Sequence, residues 1–308
     1  MIEVVDLTKA FGANRAVDGV SFKVAEGEAY GLLGPNGAGK STAINLILGL
    51  LKMDSGKVTV GGLDLSVDPS AVKRLVGFVP QDIALYPTLS ARENLIFWGR
   101  MHGLAGAALA QRVAVALEIV GLADRAKDRV ETYSGGMKRR INIAAALLHE
   151  PRLLIMDEPT VGIDPQSRHH ILETVKGLNA RGMTIMYTSH YMEEVEFLCT
   201  RVGIIDHGKI IAEGGLDDLR RIIGNRSRIV LRLSSNGHRV LERLRTVNGV
   251  EEVAEADGEI VITTTNAAAV LPAVTAECTE NARIQSVHLE EPNLEAVFLH
   301  LTGRALRD

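Results

Sequence analysis

The chain has few of the residues that staple a protein together or carry it through a membrane. Among its 308 residues are two cysteines, Cys199 and Cys278, far apart and without metal-ligand spacing. That excludes a disulfide framework and suits packed thiols in a reducing compartment. Long hydrophobic runs are missing as well. The longest, residues 44–51 and 141–148, are broken by Asn45, Gly49 and Asn142 and fall well short of the ~18 residues that a spanning helix needs. The start, Met1-Ile2-Glu3-Val4-Val5-Asp6, lacks a basic region followed by an apolar core and a small-residue cleavage site. No secretory signal is expected, and a cytoplasmic address is. An excess of positive charge is also missing. With a net charge of −4 no nucleic-acid partner is expected, because neutralising phosphates favours a basic surface. What is present is a hydrophobic content of 46%, in a chain long enough for roughly two domains with cores of their own.

One stretch carries chemistry on its face. Gly34-Pro35-Asn36-Gly37-Ala38-Gly39-Lys40-Ser41-Thr42 follows the apolar run 29–33 and precedes the helix-like run 43–48. The order is strand, phosphate loop, helix, with the spacing G-x-x-x-x-G-K-S. Glycines let successive backbone N–H groups turn inward around phosphate oxygens, and the helix N-terminus adds partial positive charge. Lys40 is expected to reach the β- and γ-phosphates, and Ser41 to coordinate Mg²⁺. The dipole contributes only about 0.3–1 kcal/mol, up to ~2 when partly buried, so the converging N–H bonds and Lys40 supply most of the grip.

Around this loop the chain reads as alternating elements. Strands are expected at 2–7, 20–24 and 29–33 before it and at 56–62 after it, and residues 75–79 lead into Pro80-Gln81. Ser90-Ala91-Arg92-Glu93 has the capping-box spacing and predicts a helix start. Leu109, Val113, Ala116, Leu117 and Val120 recur at helical spacing before Gly121 and read as packed core. Tyr133-Ser134-Gly135-Gly136-Met137 opens a further helix. Residues 153–156 form the continuous apolar run that burial on both faces of a parallel sheet produces, ending in Asp157-Glu158-Pro159. Asp164-Pro165 is a helix start, Asp as cap and Pro at the first helical position. A further buried strand, 183–188, ends at Ser189-His190. Strands alternating with helices indicate a mainly parallel α/β sheet.

Character changes near Gly224-Asn225. Strand 229–233, helix 239–247, strands 250–254 and 260–264, helix 267–278 and strand 284–289 give the order β-α-β-β-α-β, a small ferredoxin-like arrangement. A last helix follows Pro292, with Leu294, Val297, Phe298 and Leu301 at i, i+3, i+4 and i+7. Arg220, Arg221, Arg226, Arg228 and Arg232 bracket the junction, where a solvated linker is favoured over an anionic-lipid or partner site.

A phosphate loop alone admits kinases, GTPases, motors and many ATPases. No Asn-Lys-x-Asp run for guanine recognition is present. In order, the phosphate loop, Gln81, Tyr133-Ser134-Gly135-Gly136-Met137, Asp157-Glu158 and His190 closely resemble the ATP-binding subunit of an ABC transporter, continuously over residues 1 to about 220. The resemblance implies a P-loop NTPase fold of ABC type over residues 1–222: a mainly parallel α/β sheet with an antiparallel β subdomain and a helical subdomain at about 86–150. An α+β accessory domain over 225–308 follows. It implies that Phe11 stacks on adenine and that Gly34, Pro35, Asn36, Gly37, Ala38, Gly39, Lys40, Ser41 and Thr42 hold ATP. Gln81 would touch Mg²⁺ and the attacking water and sense the transmembrane partner; Asp157 and Ser41 would serve the metal. Asp157 closes a buried strand, where a carboxylate needs a charged partner to offset desolvation. Glu158 is implied as general base or water-orienting group, a role worth typically about 10²–10⁴-fold in rate, and His190 as a γ-phosphate contact. The Ser134-Gly135-Gly136 turn belongs, by the same resemblance, against the ATP of the opposite subunit, and Asp164 in the loop that crosses that interface. One cassette is present, so a second nucleotide-binding subunit, a copy or a paralogue, is needed. Tyr133 and Met137 stand where the family usually has Leu and Gln, leaving the Ser134 and backbone contacts intact.

Within the family, the signature turn followed by Lys138-Arg139-Arg140, with Glu291-Pro292-Asn293-Leu294-Glu295-Ala296-Val297-Phe298-Leu299 and Leu301-Thr302-Gly303-Arg304, looks like the ATPases paired with ABC-2-type permeases. Daunorubicin-resistance-type and sodium-efflux-type exporters belong to that group. The implied protein is an ATPase peripheral on the inner face of the cell membrane through a separate permease. Its C-terminal domain would extend the dimer interface, with ligand sensing as the other reading. The rival functions are an importer ATPase with a regulatory C-terminal domain and a soluble ABC protein of translation or DNA repair; fold alone does not decide among them. The substrate stays open between drug, lipid, ion and polysaccharide, since the permease reads it. Lys40→Ala is expected to remove most ATP affinity and turnover, measured by nucleotide titration and phosphate release. Unchanged affinity would overturn the role of the loop.

Overall fold

The computed structural model describes residues 1–224, 227–234, 237–256, 259–281, 283–290 and 293–303. Asn225, Arg226, Glu291, Pro292 and Arg304 of the readings above lie outside the described residues. Two units are present, Met1–Gly215 and a second that begins at Leu216.

The first unit starts with a long hairpin. β1 (Ile2–Phe11) and β2 (Asn14–Val24) pair antiparallel beyond the expected strands, so that Phe11 reaches the tip. β3 (Ala29–Leu33) is buried throughout and leads through the phosphate loop into α1 (Lys40–Ile47). β4 (Ser55–Val60) and the short β5 (Leu63–Asp64) complete a 4-stranded sheet of order β2-β1-β4-β5. α2 (Pro69–Leu75) was not anticipated. Asp68 caps it, accepting the Ala71 N–H at 2.8 Å, and Pro69 holds the first position, both standard start signals. β6 (Val76–Val79) follows directly.

Helices then take over. α3 (Ala91–Met101) begins at the expected capping box, with Ser90 Oγ accepting the Glu93 N–H at 3.2 Å and Glu93 Oε2 accepting the Ser90 N–H at 2.8 Å. α4 (Gly106–Ile119) turns Leu109, Val113, Ala116 and Leu117 inward, as their spacing predicts. α5 (Gly135–Leu147) starts at Ser134. Next come β7 (Leu153–Asp157), α6 (Pro165–Ala180), β8 (Thr184–Ser189), α7 (Met192–Leu198), β9 (Arg201–Asp206) and β10 (Lys209–Gly215). They build a 6-stranded sheet of order β10-β9-β3-β8-β7-β6, parallel except for the β9–β10 pair. β3, β8, β7 and β6 run the same way. The phosphate loop, His190, Glu158 and Gln81 therefore leave one edge, the carboxyl edge where open α/β sheets hold their ligands.

The second unit holds α8 (Leu216–Arg221), β11 (Ser227–Leu233), α9 (Gly237–Leu244), β12 (Val250–Ala256), β13 (Glu259–Thr264), α10 (Ala267–Asn281), β14 (Ile284–Glu290) and α11 (Leu294–Thr302). Its sheet order is β12-β13-β11-β14, antiparallel throughout, the strand arrangement of a ferredoxin-like β-α-β-β-α-β unit. Ile229, Leu231, Val240, Leu244, Ile262 and Val274 form part of its own core. In α11, Leu294, Val297 and Phe298 are buried. Arg220, Arg221, Arg228 and Arg232 pair with Asp217, Asp218, Glu290 and Glu259 at 3.4, 3.1, 3.9 and 2.9 Å. Arg221, Arg228 and Arg232 are more than half exposed, and exposed pairs of this kind have small energetic weight. Cys199 and Cys278 are free and buried; burial pushes both thiols up, Cys278 to about 11.

Where α3 and α5 end, His102 and His149 stack with ring centroids 3.9 Å apart and planes 7° from parallel. His149 Nε2 lies 3.0 Å from the Val76 carbonyl. Burial first, then the neighbouring His102, push His149 down from 6.5 to about 4. The folded value is the lower one, so the unfolded chain binds more protons between the two values. This contribution to stability is full above about 6.5 and is lost as pH falls toward about 4. The fall in melting temperature from about pH 7.5 to about pH 5 is expected to shrink in His149→Gln. An equal fall in both proteins would overturn the assignment.

Candidate active site

A cavity of about 420 Å³ opens at the carboxyl edge of the parallel sheet, and Phe11, Gly37, Lys40, Ser41, Gln81 and Glu158 are among its walls. Gly39 is the N-cap of α1 with φ 108°, and a Cβ there would run into the Ala16 carbonyl oxygen. Only glycine lets the loop pass so close to β2. A helix that starts on glycine leaves its first-turn N–H groups to an external acceptor, and their dipole favours an anion. Lys40 is 4% exposed. Its Nζ donates to the Gly34 carbonyl at 2.7 Å and the Pro35 carbonyl at 3.1 Å and lies 2.9 Å from Glu158 Oε1. Each of the three ammonium N–H bonds thus has a partner.

Asp157 and Glu158 stand where β7 meets β8. Asp157 Oδ1 accepts the Thr188 hydroxyl at 2.8 Å, and Ser41 also hydrogen-bonds the carboxylate. Burial raises the Asp157 carboxyl above its usual range, while the Thr188 and Ser41 bonds oppose the rise. A buried carboxylate beside a serine hydroxyl, with the Gln81 amide on the same cavity, is a hard-oxygen donor set that fits Mg²⁺. Glu158 has φ +43°, a left-handed conformation that costs a non-glycine residue about 1–3 kcal/mol. Thr188 supplies the hold: the Glu158 N–H donates to its carbonyl at 3.2 Å and its Oγ1 at 3.0 Å. The Glu158 side chain faces Lys40 with one oxygen and His190 Nδ1, at 3.2 Å, with the other. Loop, β7 and β8 meet on this carboxylate.

The remaining expected residues divide into two groups. Phe11 is 52% exposed at the hairpin tip rather than packed in the core, with Lys9 Nζ 5.7 Å from its ring centroid. Gln81 lines the cavity, and its backbone is gripped from α5: Arg139, 3% exposed, donates to the Pro80 carbonyl at 2.6 Å and to the Gln81 carbonyl. Asn142 on the same helix accepts the Ala84 N–H at 3.2 Å. Ser134, Gly135, Gly136 and Asp164 do not line the cavity. Ser134 caps α5, accepting the Met137 N–H at 3.3 Å, and Asp164 caps α6, accepting the Ser167 N–H at 2.9 Å. A Cβ on Gly136 would run into Ser167. Tyr133 is buried and donates its hydroxyl to the Arg125 carbonyl at 2.6 Å, so the signature turn takes the larger residue without a stranded phenol.

Sequence reasoning missed Thr188 and Arg139. Thr188 lies opposite Asp157 in the parallel register; a threonine beside an acid at adjoining ends of two apolar strands was the available signal. Arg139 enters the sequence reading only within Lys138-Arg139-Arg140 as a mark of the subfamily, although it follows Gly135 by one helical turn and so sits on the face that carries the signature turn.

Residues 17–161 match the ABC transporter family, and residues 214–302 match the family of the ATP-binding protein DrrA1-3-like, C-terminal domain. Linearmycin resistance ATP-binding protein LnrL of Bacillus subtilis (strain 168) is 53% identical over 311 residues, covering 100% of both chains. Daunorubicin resistance ATP-binding protein DrrA2 of Streptomyces coeruleorubidus is 37% identical over 300 residues, covering 96% of this chain and 93% of that one. The solved dimeric ATP-binding cassette MJ0796, in a post-hydrolysis state bound to ADP and Pi, is similar with a TM-score of 0.64 and 27% identity, over 70% of this chain and 98% of that one. With its loop, Gln81 and Glu158 on one cavity and His190 against Glu158, the chain belongs to the ATP-binding subunits of ABC transporters, a cassette followed by a DrrA-like C-terminal domain.

Proposed function

We propose that this chain hydrolyses ATP as the motor of an ABC exporter and drives a separate membrane permease of ABC-2 type. The observation that carries the reading is the meeting of Lys40, Glu158 and His190 at the joined ends of the phosphate loop, β7 and β8. Export is supported by similarity along the whole chain to LnrL and DrrA2, which are named for resistance to linearmycin and daunorubicin. Among the described residues no helix is long and apolar enough to cross a membrane, and the path for cargo is assigned to the permease.

The proposed order of events is as follows. Adenine lies on the half-exposed Phe11 ring, whose π-face suits it, and the phosphates take the N–H groups of residues 34–42. The γ-phosphate carries more charge than a carboxylate and competes for the donors that Glu158 holds. Lys40 leaves one Glu158 oxygen and His190 the other, so Glu158 becomes free to orient a water and accept its proton. Asp157, Ser41 and Gln81 would hold Mg²⁺, which when bound neutralises charge on the β- and γ-phosphates. The turn at the start of α5, with Ser134 and Gly135 exposed and Gly136 buried beneath them, lies outside the chain's own cavity and supports head-to-tail pairing with a second copy, each turn closing the other's site. An apolar groove of about 300 Å³ walled by Leu48, Leu50, Phe78, Trp98, Ala145 and His149 adjoins Pro80. We assign it to a helix of the permease, because an occupant there touches the strand end that leads to Gln81.

Glu158→Gln is expected to bind ATP and accumulate as a dimer, read as a doubled mass by light scattering. Adding Ser134→Phe is expected to return it to monomer. Turnover at wild-type rate in Glu158→Gln overturns the base assignment, and a dimer that survives Ser134→Phe overturns the paired site. Export is tested by tagging the chain in its native cell, solubilising membranes mildly and identifying what copurifies. A stoichiometric integral membrane protein is expected, lost in Leu50→Glu while ATP binding persists. Ribosomal or DNA-bound partners alone would overturn the transport reading.

A further inference from the structure

Glu194, on α7, is 2% exposed and takes part in no step above. Its carboxylate gathers three hydroxyl donors from two other parts of the chain. Thr160, just past Glu158, donates its hydroxyl at 2.7 Å, Tyr187 in β8 at 2.8 Å and Ser189 at the end of β8 at 2.9 Å. Arg168 Nε on α6 stands 3.4 Å away. Burial first, then the Glu194 charge, push the Tyr187 phenol far above its usual range, so it stays a donor. Ser189 in turn accepts the Tyr191 N–H at 2.9 Å. Ser189, before His190, is thus tied to the carboxylate directly, and Tyr191, after it, through Ser189.

A second thread joins the same point. The Arg168 guanidinium lies over the Tyr191 ring, Cζ 4.7 Å from its centroid, and that ring sits 4.1 Å from the His190 ring. The Arg168 N–H donates to the Asp164 carbonyl at 2.9 Å in the first turn of α6. Its neighbour Ser167 occupies the space that a side chain on Gly136 would need. Signature turn, first turn of α6, Glu194 and the His190 turn form one chain of contacts. Apolar packing at position 194 would fill the same space without desolvating a charge. A carboxylate that takes the hydroxyls of Ser189, next to the active histidine, and of Thr160, two residues past Glu158, has a geometric purpose instead.

We propose that Glu194 is a positioning residue, which holds His190 in register with the Thr160–Asp164 segment and the first turn of α6, so that closure of the partner's site sets the histidine of this one. The proposal rests on the head-to-tail reading given under the proposed function. The test uses the full chain with Glu194→Gln, Arg168→Gln, His190→Ala and the paired variants, following steady-state and single-turnover phosphate release and the thermal melt. Glu194→Gln is expected to lower kcat about tenfold or more with KM for ATP within about twofold, and to add nothing in the His190→Ala background. Arg168→Gln, at a site 29% exposed, is expected to show the same split with a smaller loss and keeps the test open if Glu194→Gln does not fold. Additive losses with His190→Ala, or a KM that worsens as far as kcat falls, overturn the proposal. A Glu158→Gln chain that stays monomeric with ATP would remove the head-to-tail reading instead, and the Glu194–His190 cycle would still decide whether the carboxylate sets the histidine.

Discussion

A lysine ammonium taken out of water has to be met on every N–H bond, and the active edge of this protein is organised by meeting that of Lys40. An uncompensated buried charge costs several kcal/mol, and removing one partner of a buried pair typically costs about 3–5 kcal/mol. The loop supplies the Gly34 and Pro35 carbonyls, and β7 supplies Glu158. Neither arrives without help. The loop that carries these carbonyls passes close to β2 only because Gly39 takes φ 108° next to the Ala16 carbonyl. Glu158 turns toward it only because Thr188 holds the backbone at φ +43°. The arrangement thus keeps Lys40 satisfied within the protein, on the wall of the cavity.

The sheet order makes this economical in chain length. With β3, β8, β7 and β6 adjacent and parallel, four connections that are remote in sequence leave the same edge, and the phosphate loop, His190, Asp157-Glu158 and Gln81 need no further element to gather them. Burial does the aligning. β3, β7 and β8 are buried along their whole length, so a register slip would drive Asp157 or Thr188 into the apolar interior without its partner.

What was legible in the sequence follows the same physics. The loop, the capping box at Ser90, the cap at Asp164 and the β-α-β-β-α-β order of the second unit are local signals, each carried by a few neighbouring residues, and all appear where expected. α2 carried an equally local signal in Asp68-Pro69 that was overlooked, as were α7 and the β9–β10 pair, which lack a long apolar period. The illegible part is tertiary. Thr188, Arg139 and Glu194 act across strand register and between helices, on partners 31, 58 and 34 residues away in the chain. No spacing rule covers such distances. Phe11 shows the converse: composition cannot tell a core ring from an exposed one, and the length of the β1–β2 hairpin decides it.

The two groups of expected residues differ in what holds them, and this bears on how a single cassette works. Those on the cavity are fixed by sheet ends and buried hydrogen bonds. Ser134 and Asp164 are instead caps, their oxygens engaged with the first turns of α5 and α6, so they move only as their helices move. Arg139 makes α5 rigid with the Gln81 segment, and Gly136 makes it close against Ser167 of α6. A shift of α5 is therefore felt at Gln81 on one side and at the start of α6 on the other. Side-chain flexibility cannot absorb it, because the contacts run through a buried guanidinium, backbone carbonyls and a glycine with no side chain to adjust. In a packed edge of this kind, displacing α5 would bear on the Gln81 segment and the start of α6 together, which suits the motor role proposed for this chain.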